Sequence, residues 1–185
     1  LHDALPICAL PVGLVSGFAL DYMHLVCLGV MQKLLNYWLG GPLSRDTNYA
    51  SRLPAHIVNT LSTRLINLRT SVPREFARKT RTLSEIDRWK ATEFRTFLLY
   101  TGPVVLSGIL PVNIHNHFML LSTAISILVS PRLYADNNDY ANQLLVCFVQ
   151  QAKQLYGPAF MVYNVHALVH LAADAKRFGP LDSFS

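Results

Sequence analysis

Asp21 and His24 stand three residues apart in ALDYMHLVCLGV (residues 19–30), an otherwise apolar run. A charge buried without a partner is expensive, so the pair needs a reason to be there. The spacing places both side chains on one side of a first helical turn. Two readings follow: site chemistry, or an Asp21 N-cap with a buried histidine. A second constellation is His166, His170 and Asp174, at successive spacings of four on one helix face. Two histidines one turn apart can chelate a metal, with a carboxylate as third ligand. No zinc-protease glutamate lies between them, which favours a polar stripe packed on a neighbouring helix. Glu93, in WKATEFRTFLLY, sits between Lys90 and Arg95 where the chain turns strongly apolar. It can face a cleft lined by basic residues, or pair within its own helix. His115 and His117 flank Asn116 and would point apart on a helix, so a loop with structural hydrogen bonds is expected there.

The elements that position these residues read as mostly helical. Asp21 to about Leu39 forms a first helix, stopped by Gly40-Gly41-Pro42. A polar loop follows at 43–52, then a helix from Pro54 to about Leu68, with the proline in its first turn. TSVPREFARKTRTL (70–83) is a basic connector. Ser84 and Asp87 have capping-box spacing, which predicts a third helix from Ser84 to about Thr101. Further helical segments follow Pro103 and cover about 115–130. An amphipathic helix at 138–156 places Tyr140, Leu144, Leu145, Phe148 and Leu155 on its apolar side, ended by Gly157-Pro158. The last helix runs from Tyr163 to Phe178. No strand is clear, although VGLVSGFAL (12–20) allows short ones.

The chain has 185 residues, enough for one domain or a large piece of one. Half of it is apolar, which excludes a disordered chain. The net charge of +5 is uneven. Residues 52–95 hold ten basic side chains against four acidic ones, giving +6 there and −1 elsewhere. Such a stripe is the footprint of a nucleic-acid binder, or a solvated connector surface. Arg74, Arg78, Lys79, Arg81, Arg88 and Lys90 are the candidates for contacting phosphate.

Three widely spaced cysteines (Cys8, Cys27 and Cys147) form no CxxC pair. They read as reduced thiols in an intracellular protein, each a small buried hydrophobe. Thr96 to Pro131 carries no Asp, Glu, Lys or Arg. That length would suffice for a membrane hairpin. Gly102-Pro103, Gly108 and Pro111 interrupt it, and Asn113, His115, Asn116 and His117 form a polar knot. HFMLLSTAISILVS (117–130) better fits a buried core helix, so no membrane partner is expected. There is no initiator methionine and no signal-peptide n-region, and both ends read as cut. LHDALPI (1–7) resembles a translated adaptor junction. The expected division is therefore an N-terminal junction at 1–17 and a partial helical domain at 18–185.

Four segments together resemble the transposase core of CACTA-type and related cut-and-paste elements. They are DYMHLVCLGVMQKLL (21–35), LSEIDRWKATEFRTFLLYTGPVVLSGILP (83–111), YANQLLVCFVQQAKQLYG (140–157) and YNVHALVHLAADAKRFGPLDSFS (163–185). They come in family order and span most of the chain from residue 18 onward. The resemblance implies a mainly α chain: the helical C-terminal part of a ribonuclease H-like catalytic domain, its sheet largely missing. In that family three acids hold two divalent metals, Mg²⁺ or Mn²⁺, that activate a nucleophile and stabilise the leaving oxygen.

Residue by residue, Asp21 and His24 match the family's Asp-x-x-His signature, which supports the active site. Glu93 matches the acid of Lys-Ala-x-Glu-aromatic-Arg, the candidate third metal ligand. Asn164, His166, His170 and Asp174 match a C-terminal motif without an assigned role. The first two catalytic aspartates are expected upstream of residue 18. One glutamate cannot assemble a two-metal centre, so no cofactor and no nuclease activity are expected of this chain alone. DNA is the expected partner, through non-specific backbone contacts in the nucleus or cytoplasm, and an oligomer is compatible with the reading. The rival readings are a domesticated, non-catalytic DNA- or protein-binding module, and a small membrane protein with helices in 96–131.

Overall fold

A computed structural model describes residues 18–40, 52–73, 76 and 78–184. Cys8, Arg74, most of the 43–52 loop and residues 12–17 of VGLVSGFAL lie outside the described residues. The described chain is mainly helical, and no strand occurs in it.

Helix α1 opens with a π-helical stretch, Met23–Met31, and continues as Gln32–Leu39 in α geometry. Its first half is apolar nearly all round, which marks a helix enclosed by others. Leu25, Val26, Cys27, Val30 and Met31 are buried, and α1 packs against both the third and the last helix. Gly40 ends it at φ 70°, its N–H bonded to the Asn36 carbonyl. That left-handed conformation suits glycine. Helix α2 spans Ala55–Leu68, with Pro54 just before its first residue.

The third helix does not begin at Ser84. Leu83–Arg88 is a short 3-10 helix with Thr82 at its N-cap. The Thr82 hydroxyl donates to Glu85 Oε2 at 3.3 Å, a contact between side chains, and the turn has no side-chain cap on its backbone. The backbone is then extended at Trp89 and Lys90. The turn lets Trp89 pack its ring on Phe94 and Phe97, at centroid distances of 5.4 and 5.8 Å. Helix α3 follows as Ala91–Thr96, a π turn at Phe97–Thr101, and Gly102–Leu106. The π turn sits just before Pro103, whose ring would crowd a regular turn and whose nitrogen has no proton to donate.

Helices α4 (Val112–Val129) and α5 (Asn138–Tyr156) form the most extensive helix pair. The last helix, α6, runs Tyr163–Ala167, a 3-10 turn at Leu168–His170, and Leu171–Phe178. Two aromatic groups fill the space between helices. Trp38, Phe97 and Phe118 form one, and Tyr37, Tyr156 and Phe160 the other.

Three expectations change. The buried stripe of α5 is Asn138, Ala141, Leu145, Phe148, Ala152 and Tyr156, while Tyr140 is exposed. Cys147 lies two turns beyond Tyr140 and is exposed as well, so it is not a core residue. Cys27 is buried, and burial pushes its thiol up to about 12. His115 and His117 lie on helix α4 and not in a loop. His117 is fully buried, its Nε2 2.9 Å from the Phe148 carbonyl and its ring stacked on Phe148. Among the described residues, α4 alone is long and apolar enough to cross a membrane, and half of it is buried. Ser122 of that helix donates inward to the Leu98 carbonyl at 2.8 Å.

Candidate functional site

The N-terminus of α1 places Asp21 and His24 at the surface. Asp21 Oδ1 accepts the His24 backbone N–H at 3.2 Å, as an N-cap carboxylate does. Its Oδ2 lies 2.6 Å from His24 Nδ1. Slight burial pushes the Asp21 carboxyl up, but the His24 hydrogen bonds outweigh it and hold the group below its ordinary value. A carboxylate only accepts, so Nδ1 carries the proton and Nε2 is left as the acceptor of a neutral ring. The pair is thus a surface cap and an oriented imidazole, not a buried charge.

Tyr22, between them, points inward and is 1% exposed. Its hydroxyl donates to Asp182 Oδ1 at 2.6 Å and accepts from Arg95 Nε at 2.6 Å. The Arg95 guanidinium closes the triangle on Asp182 Oδ2 at 2.5 Å. Burial, then the Asp182 hydrogen bond, raises the Tyr22 phenol, so it stays neutral. Desolvation pushes the Arg95 guanidinium down, but Asp182 and Tyr22 more than offset this and leave it raised. Sequence reasoning missed this network. Its members lie inside three of the resembling segments, yet at separations no periodicity links.

The C-terminal motif meets the same region. Asp174 Oδ2 accepts the Leu20 backbone N–H at 2.9 Å, docking the entry to α1 on α6. Asn164 lies so close to Gly29 that a Cβ there would meet its Nδ2 at 2.5 Å. His166 and His170 are exposed, and with Asp174 they line one cleft of about 500 Å³. Phe18, Leu20, Tyr163 and Arg177 also line it. The three residues therefore share a face, as the four-residue spacing expects, but the histidines are exposed and do not form the packed stripe expected against a neighbouring helix.

Glu93 is built into the fold at a different point. It is 6% exposed. Its Oε2 accepts the Lys90 backbone N–H at 2.9 Å, which caps α3 from inside. Its Oε1 lies 3.0 Å from Arg81 Nε, a charge contact without a well-aligned hydrogen bond. Arg78, Lys79, Arg88 and Lys90 are exposed, and Arg81 is about one-third exposed. The 78–81 stretch lies against Trp89 and Glu93 around a small cavity, which brings Arg78, Lys79 and Arg81 together there, while Arg88 and Lys90 flank Trp89 in the chain.

No group of three His, Cys, Asp or Glu side chains comes together to hold a metal among the described residues. Asp21, His24 and Glu93 therefore do not form one ligand set there. With Glu93 already engaged by Arg81 and Lys90, the described residues by themselves do not fit a Mg²⁺ or Mn²⁺ centre. In comparisons with known proteins, no family model, no curated protein and no solved structure matches the chain.

Proposed function

We propose that the chain is part of a transposase-derived catalytic domain and that its own contribution is binding to the DNA backbone. The observation that carries this is the corner around Glu93, where exposed Arg78 and Lys79 line a cavity with Trp89 and with a carboxylate neutralised by Arg81, and exposed Arg88 and Lys90 flank Trp89 in the chain. Exposed cations attract phosphate and release counterions from it. The convergence of Tyr22, Arg95, Asp182, Asp174 and Asn164 supports reading the resembling segments as one assembled unit. The test is fluorescence anisotropy on a labelled duplex. Replacing Arg78, Lys79, Arg88 and Lys90 together by Ala should abolish most of the binding. Unchanged affinity would reject the assignment.

A non-catalytic, domesticated role is favoured by one observation: both Glu93 oxygens already have structural partners. In a longer chain carrying two more acids, Glu93→Gln discriminates. Loss of metal-dependent cleavage at unchanged melting temperature indicates a ligand. A lowered melting temperature with cleavage retained or absent from the start indicates a structural acid.

A further inference from the structure

Three residues that each carry a buried polar atom line one small space beside Arg78, Lys79 and Arg81. Trp89 Nε1, Glu93 Oε1 and Thr101 Oγ1 each lack a hydrogen-bond partner. Their residues are 6%, 6% and 7% exposed. Native folds rarely leave buried polar atoms without such a bond, and of the three only Glu93 Oε1 has even a charge contact, with Arg81. All three residues line the same cavity of about 10 Å³. That is the space of one water molecule.

We infer that this cavity is a binding site for a single ordered water that ties the 78–81 strap to α3. The donor and acceptor pattern selects water. Trp89 Nε1–H can only donate, the Glu93 carboxylate can only accept, and Thr101 Oγ1 can do either. A ligand here must therefore accept from one side and donate to the other, within one water volume. Water does both, with one lone pair toward Trp89, one O–H toward Glu93 Oε1 and a third bond to Thr101. A monovalent cation cannot accept the indole proton, and it would meet Arg78, Lys79 and Arg81 on the cavity wall. A small anion would meet the Glu93 carboxylate. The water also completes Glu93, whose Oε1 is otherwise held only by the Arg81 charge contact. It thereby fixes the carboxylate that anchors Arg81 and hence the strap. This site stands independently of the DNA-binding reading.

The test is water–protein cross-relaxation by NMR at the Trp89 indole proton, assigned against a Trp38→Phe variant. A long-lived water cross-peak at Trp89 Hε1 is expected in the wild-type chain. It should persist in Thr101→Ser, which keeps the hydroxyl, and be lost or strongly weakened in Thr101→Val. Strap amides at 78–81 should exchange faster in Thr101→Val. An observable Trp89 Hε1 without a water cross-peak overturns the site. So does a cross-peak that Thr101→Val leaves unchanged. If Thr101→Val fails to fold, crystallographic density decides: a peak within hydrogen-bond distance of all three atoms supports the site, and a collapsed cavity with a direct Trp89–Glu93 bond rejects it.

Discussion

Tyr22 uses one buried hydroxyl to join Arg95 and Asp182, residues 73 and 160 positions away. Removing that oxygen leaves two partly exposed charged groups with one partner fewer. Tyr22→Phe should therefore lower unfolding stability by about 1–2 kcal/mol, read as a lower urea midpoint at unchanged m-value. In a double-mutant cycle with Asp182→Asn the two effects should be less than additive. Strict additivity would mean that the hydroxyl and the carboxylate do not act together. His117 supplies a second test. Burial depresses its folded pKa to about 4, against about 6.5 when unfolded. Between those values the unfolded chain binds more protons than the folded one, so stability rises with pH across this window. The contribution is complete above about pH 6.5 and is lost as pH falls toward 4, up to about 3 kcal/mol. His117→Gln should flatten that part of the stability profile measured by chemical denaturation. An equally steep profile in the variant would assign the acid sensitivity to other groups.

Helices legible in the sequence are those whose own residues carry the signal. Pro54 and the helix after it, the 138–156 helix and the Gly157 stop fall where punctuation and periodicity place them. The third helix does not, because the backbone leaves helical geometry at Trp89 and Lys90, where Trp89 buries its ring on Phe94 and Phe97. The α5 stripe holds at Leu144, Leu145, Phe148 and Leu155 and fails at Tyr140, which is apolar yet faces solvent, while small Ala141 and Ala152 face the core. The shared face of His166, His170 and Asp174 was legible from spacing alone. The Tyr22–Arg95–Asp182 triangle was not, since contacts across such separations depend on how α1, α3 and the C-terminal turn pack. Close helix approach gives a direct check. At Gly102 a Cβ would sit 2.5 Å from the Phe97 carbonyl oxygen and 2.8 Å from Phe118 Cζ. Backbone cannot yield easily there, so Gly102→Ala should destabilise by about 2–3 kcal/mol. At Gly29 the nearest obstacle is the end of the Asn164 side chain, which can rotate away. Gly29→Ala should cost less in the same thermal melt, and the reverse order would contradict this packing of α1.

At the scale of the whole molecule, charge and core are segregated. The apolar helices α1, α4 and α5 build the interior, while the excess positive charge lies between residues 52 and 95. That separation leaves exposed cations outside the core, where they are open to phosphate. Counterion release sets the expected behaviour: each phosphate neutralised adds about −0.9 to the slope of log affinity against log salt. The first measurement is therefore that slope, on two duplexes of unrelated sequence, for the wild-type chain and for the variant lacking Arg78, Lys79, Arg88 and Lys90. Backbone binding at the Glu93 corner predicts equal, steep slopes on both duplexes and a slope shallower by about 3–4 in the variant, given four lost contacts. A salt-independent affinity, or a slope the four replacements leave unchanged, would contradict it.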